Sequence, residues 1–175
     1  HADRTGGEGP VAALGRDDVV RWAGALTARE ARAVGLNWVF APVADLDVLA
    51  ANPIVQTRAF GAEPAVVARS VAEWVRGCQA AGALACAKHY PGHGRTTVDS
   101  HIALPSVDAS RDLLEREDLV PFRAAVAAGV ASCMTAHVAY PSLDPSGQPA
   151  TLSPIILGQL RAGGFNGLIV SDALI

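Results

Sequence analysis

Along the chain, short and almost uninterrupted apolar runs alternate with longer stretches in which apolar residues return every three or four positions. Residues 36–43, 83–87, 130–136 and 167–171 have strand length and near-continuous hydrophobicity, as strands covered on both faces do. Between them, Val67, Val71, Trp74, Val75 and Cys78 fall on one helical face, and Gly82 follows as a stop. The pattern predicts a first helix over about residues 17–34 and another over about residues 111–128, with Ser110 as its cap and Gly129 as its end. A last helix is expected to open at Ser153-Pro154, a capping residue followed by proline at the first helical position, and to close at Gly163-Gly164. The order is therefore α-β-α-β-α-β-α-β, without a linker or low-complexity segment.

Such alternation makes a parallel sheet with crossover helices, either an open doubly wound sheet or part of a (β/α)8 barrel. In both, ligands bind at the carboxyl ends of the strands. Every chemically loaded stretch follows a predicted strand: Asp45 the first, residues 88–101 the second, His137 the third and Asp172 the fourth. Polar groups after four consecutive strands suit a barrel mouth, and no G-x-G-x-x-G follows a strand. A barrel is the preferred architecture.

Composition narrows the partners. Half of the 175 residues are apolar, enough for one globular unit with a sizeable core. The formal net charge is −3 and no Lys/Arg block is present, which argues against nucleic acid and anionic membrane as partners. No apolar run approaches the roughly 20 residues of a membrane span, and the opening H-A-D-R-T-G-G-E-G-P lacks a signal-peptide pattern. Cytoplasm is the expected compartment. Cys78, Cys86 and Cys133 are odd in number and sit among apolar neighbours, which reads as buried reduced thiols.

The stretch K-H-Y-P-G-H-G-R-T-T-V-D-S-H, residues 88–101, concentrates the chemistry. His89 and His93 are four apart, but Pro91 and Gly92 between them break any helix that would align them for a metal. A loop whose histidines only satisfy backbone groups is the bland reading. The catalytic reading rests on Asp99-x-His101, because a carboxylate beside an imidazole fixes its tautomer and stabilises its protonated form. Asp172, at the end of the last strand, is placed to be a carboxylate nucleophile, or else to cap a following helix. Asp45 reads as a residue that orients its neighbours, and His93 as one that fixes its loop. Trp22, Trp38 and Trp74 lie in helix or strand patterns and read as core.

Residues 88–101 resemble the K-H-[FY]-P-G-H-G-x4-D-S-H signature of glycoside hydrolase family 3, in its β-N-acetylhexosaminidase branch. Three more segments agree in order: F-A-P-V-A-D from Phe40, N-P-I-V-Q-T-R-A-F-G from Asn52 and, after Gly163, G-F-N-G-L-I-V-S-D-A-L from Gly164 to Leu174. The resemblance implies a (β/α)8 TIM-type barrel and a retaining hydrolase of terminal β-linked N-acetylglucosamine, as in peptidoglycan or chitin fragments. It implies a small carbohydrate substrate and neither metal nor organic cofactor. It places the nucleophile on Asp172, the acid/base on His101 with Asp99 in support, and sugar contacts on Arg58, Lys88, His89 and, by the weaker match of D-R-T-G-G, Asp3. A phosphorylase or transglycosylase on the same site, or an inactive carbohydrate-binding fragment, are the alternatives.

The sequence departs from the family pattern in places. Ala173 replaces the carboxylate that commonly follows the nucleophile, Gln56 stands where glycine is common, and a sugar-binding arginine expected after residue 7 is missing. About four full βα units are expected over residues 1–175, the middle portion of the N-terminal barrel domain, incomplete at both ends. Four strands cannot close an eight-stranded barrel.

Overall fold

The structure is a computed structural model that describes residues 9, 15–97 and 104–174. Its elements are α1 (Asp17–Ala33), α2 (Pro64–Ala80), β1 (Cys86–Tyr90), α3 (Arg111–Arg116), α4 (Leu119–Ala127), β2 (Ser132–Thr135), α5 (Pro154–Ala162) and β3 (Leu168–Ser171), with 3₁₀ turns at Gln56–Arg58 and Ala150–Leu152.

Helix α1 forms because Val20, Gly24, Ala28 and Ala31 line one buried face, while Asp17 and Asp18 in its first turn and Arg32 in its last match the helix dipole. Helix α2 starts with proline at N1, where the missing N–H costs nothing. Its Val67, Val71 and Val75 are completely buried, each worth about 1.5–3 kcal/mol of transfer free energy. The two helices touch backbone to backbone: a Cβ on Gly77 would lie 1.9 Å from the Arg21 carbonyl oxygen. Above the contact, Arg21 Nε donates to Glu73 at 2.6 Å. This packing turns Trp22 outward, 58% exposed. The expectation that it belongs to the core is corrected here, since Val20 and Gly24 occupy the inner face. Trp74 is buried.

The helix expected over residues 111–128 is two helices. Pro121 cannot donate to the Glu117 carbonyl four residues back and its ring would strike it, so α3 ends at Arg116 and α4 begins at Leu119. Ser110 caps α3, its side chain accepting from the Leu113 N–H at 3.2 Å, and Ser153 caps α5 in the same way, through Ile156.

The three strands lie parallel in the order β1-β2-β3, with Cys86 opposite Ser132 and Ser132 opposite Leu168. A sequential order without reversal is how a barrel is wound. The first predicted strand is present as an extended segment hydrogen-bonded to the free side of β1, but only bridges Trp38–Leu84 and Val43–Lys88 are regular. The Leu84 N–H meets the Asn37 carbonyl and the Cys86 N–H that of Ala41, so the first segment advances four residues while β1 advances two. The slack falls before Pro42, which has no N–H for the ladder.

Side-chain alternation gives this sheet two different faces. Ala83, Ala85, Ala87, Val130 and Cys133 join the helices in one core with Phe122, Ile156 and Leu160. On the other face, Phe40 (52%), Leu84 (44%) and Leu168 (56%) are exposed. That is the inner surface of a barrel, which further strands would line. Cys78, Cys86 and Cys133 are free and buried, and burial raises the Cys78 thiol to about 11. Among the described residues, no helix is long and apolar enough to cross a membrane.

Candidate active site

The carboxyl ends of the strands converge on His89. The ladder between β1 and β2 pairs Lys88 with Met134 and then Tyr90 with Thr135, so His89 is the residue left out of register. A bulge of this kind re-aims a side chain at a sheet end. Asp45, after the first extended segment, is completely buried and receives the His89 ring, Nδ1 lying 2.7 Å from Oδ2. Its Oδ1 accepts from the backbone N–H groups of His89 at 3.1 Å and His93 at 2.7 Å. A carboxylate only accepts, so the His89 proton sits on Nδ1 and Nε2 points away from Asp45. Nε2 faces Asp172, whose Oδ2 is 3.7 Å distant.

Burial alone would raise the Asp45 carboxyl, but the charge and hydrogen bond of His89, with help from His93, outweigh it and hold the group below the usual carboxylate range. Burial lowers His93, with Asp45 pulling the other way. Lys88 pairs with Met134 and Met134 with Val170, two residues before Asp172, so strand alternation puts the lysine on the same side of the sheet as the nucleophile candidate.

The loop after β1 is tied down residue by residue. His93 Nδ1 lies 2.6 Å from Thr96 Oγ1. Asn52 donates to the His93 carbonyl at 2.8 Å while its own oxygen accepts from the N–H groups of Ile54 and Val55. Tyr140, fully buried, donates to the Gly92 carbonyl at 2.7 Å. Arg95 pairs with Asp118 at 2.7 Å and with Glu117, which spends the break between α3 and α4 on holding the loop. The two histidine rings meet edge to face at 5.8 Å between centroids. Among the described residues no cluster of three or more His, Cys, Asp or Glu could hold a metal.

Of the residues expected from sequence, His89, Lys88 and Asp172 therefore share one site. Arg58 closes the 3₁₀ turn at Gln56–Arg58, exposed, its Nη1 donating to the Ile54 carbonyl at 3.1 Å. Asp3, Asp99 and His101 lie outside the described residues. Sequence reading understated Asp45 and missed Asn52, Thr96, Arg95, Asp118 and Tyr140. Only Asn52-Pro53 and the D-L-x-P spacing around Asp118 and Pro121 offered any local signal, because the contacts themselves are tertiary.

A parallel, sequentially ordered βα sheet with its polar residues gathered at the strand ends is the arrangement of part of a TIM-type barrel. Residues 10–175 match the family described as the Glycosyl hydrolase family 3 N terminal domain, and the chain belongs to that family. It is 41% identical over 185 aligned positions to a β-N-acetylglucosaminidase/β-glucosidase of Cellulomonas fimi, covering 98% of this chain and 32% of that protein. The solved structure of a family 3 β-N-acetylglucosaminidase from a Paenibacillus species superposes with a TM-score of 0.94 at 43% identity, over 96% of this chain and 32% of the other. A β-glucoside phosphorylase superposes with a TM-score of 0.90 at 31% identity, over 95% of this chain and 32% of the other. The chain thus spans about a third of the length of these relatives.

Proposed function

We propose that this chain supplies the catalytic mouth of a retaining exo-β-N-acetylhexosaminidase acting on terminal β-linked N-acetylglucosamine in peptidoglycan or chitin fragments. The observation that carries the reading is His89 on β1, held by buried Asp45 and facing Asp172 at the end of β3, the strand on the other side of β2. The names of the Cellulomonas and Paenibacillus relatives support the sugar.

In the first step an Asp172 oxygen attacks the anomeric carbon and the bond to the leaving oxygen breaks, that oxygen taking a proton from the His101 imidazolium. In the second, water attacks the glycosyl ester, gives its proton to His101 and releases the Asp172 carboxylate. Asp99 orients and charges His101. Lys88 donates to a sugar hydroxyl and His89 Nε2 hydrogen-bonds another, so that the sugar ring is held against the nucleophile.

Asp172→Ala and Asp172→Asn, made with this chain in a complete barrel, should abolish turnover of an aryl β-N-acetylglucosaminide while leaving the far-UV circular dichroism unchanged. His101→Ala should harm substrates with poor leaving groups far more than activated aryl glycosides, whose departure needs little protonation. Retained turnover in the Asp172 variants removes the nucleophile, and a uniform loss across leaving groups removes the acid role of His101. The likeness to a β-glucoside phosphorylase favours one rival: an imidazole acid/base repels phosphate less than a carboxylate does. Sugar 1-phosphate formed only when phosphate is added would establish it.

A further inference from the structure

We propose that His137 is a positioning residue for Asp172, acting through the backbone of Ala173 at the end of a relay from Thr135 and Thr151. The inference rests on the reading of Asp172 as nucleophile. His137 follows β2 by two residues and is half-buried beside β3. Its Nε2 lies 3.1 Å from the Ala173 carbonyl and its Nδ1 lies 2.8 Å from Thr151 Oγ1. Thr151 Oγ1 in turn lies 2.9 Å from Thr135 Oγ1.

The proton positions follow from the acceptor at the end. A carbonyl cannot donate, so Nε2 carries a hydrogen, and in the neutral ring Nδ1 must accept from the Thr151 hydroxyl. Thr151 Oγ1 then accepts from Thr135. All three donors run in one direction, Thr135 to Thr151 to His137 to Ala173. Each threonine has one hydrogen to give, so in this arrangement the carbonyls of Val170, 3.2 Å from Thr135, and Ala136, 3.1 Å from Thr151, do not receive it, and the relay meets the nucleophile strand at Ala173.

Ala173 is what connects this relay to the carboxylate. Its N–H donates to Asp172 Oδ1 at 2.8 Å, while its carbonyl is taken by His137. A residue held at both ends fixes where its N–H points, and that N–H fixes the Asp172 side chain. Oδ1 is occupied, and Oδ2, the oxygen that faces His89, is left to attack. The device uses no side-chain atom of residue 173, so it works although that residue is alanine.

The test uses this chain in a complete barrel and separates kcat from KM. His137→Leu should lower kcat about 10²-fold, the scale of a misplaced reacting group, with KM and the inhibition constant of free N-acetylglucosamine changed less than about 3-fold. His137→Gln, whose amide N–H can reach the Ala173 carbonyl, should recover most of the loss. Thr151→Val, nearly isosteric and measured alongside in case the leucine variant fails to fold, should lower kcat in the same direction. A His137→Leu or Thr151→Val variant at wild-type kcat overturns the proposal, as does a kcat loss that tracks the melting temperature and is not recovered by glutamine. Asp172→Ala is the control that separates the two readings: if it is active, the nucleophile reading fails and the positioning role with it. If it is inactive while His137→Leu is fully active, the positioning role alone fails.

Discussion

Asp45 holds His89 twice, taking the ring Nδ1 at 2.7 Å on one oxygen and the backbone N–H at 3.1 Å on the other. The carboxylate therefore sets both the orientation of the imidazole and the tautomer it presents to Asp172. Asparagine at position 45 keeps one acceptor for the backbone but turns an N–H₂ group toward Nδ1–H, or forces the ring into the other tautomer. With this chain in a complete barrel, Asp45→Asn should lower kcat/KM for an aryl β-N-acetylglucosaminide by about 10²-fold, as misplacement of a substrate-holding group does. Activity within a few-fold of wild type would show that the Asp45–His89 contact serves only the fold.

The same cluster makes stability depend on pH in a stated direction. Around His93 stand Asp45, His89, Asp172, Thr96 and Asn52, and burial holds its imidazole below the ordinary value. In the window between its lowered pKa and about 6.5 the unfolded chain binds the proton and the folded chain does not, so stability is full above that window and falls as pH drops through it. Asp45, also lowered, adds a second loss that begins below about 3.9. The melting temperature should fall between pH 7.5 and 5 in the wild type, pH values chosen to span the roughly 6.5 midpoint of free histidine. His93→Asn should melt lower at pH 7.5 but change less on acidification. Equal slopes for the two proteins would rule out His93 as the source.

Much of this was legible along the chain, for physical reasons that differ by element. The end of α2 followed from Gly82 and the start of α5 from Pro154 and the Ser153 cap, all local devices, while Pro64 at the first position of α2 was an equally local signal that went unread. The break at Glu117-Asp118 was also local, since Pro121 forbids the continuous helix, and periodicity alone passed over it. Strand β1 runs on through Tyr90, beyond the apolar run that marked it, because Lys88 and His89 are polar residues placed on a strand end by the site and not by the core. Asp45 read as a residue that orients its neighbours, but which neighbours was hidden, because its partners are more than forty positions away, at His89 and His93. A motif can name such residues. Only the fold can say which oxygen meets which nitrogen.

Two backbone positions should respond to opposite changes. Gly94 lies so close to the loop after the first segment that a Cβ there would stand 1.9 Å from the Leu46 carbonyl oxygen and 2.9 Å from its carbon. Neither atom belongs to a flexible side chain, so Gly94→Ala must displace backbone that also carries Asp45 and His93. A cost of about 1–3 kcal/mol is expected, as for overpacking elsewhere. Gln56 is the one non-glycine residue with positive φ among the described residues, at +36°, a region that costs an ordinary residue roughly 1–2 kcal/mol. Gln56→Gly relieves that strain and gives back about 0.5–1 kcal/mol through the freer unfolded chain, so the balance favours the variant. In thermal melts Gly94→Ala should fall well below wild type and Gln56→Gly should match or exceed it. A glycine variant that melts several degrees lower would mean that the Gln56 side chain contributes more than its backbone costs.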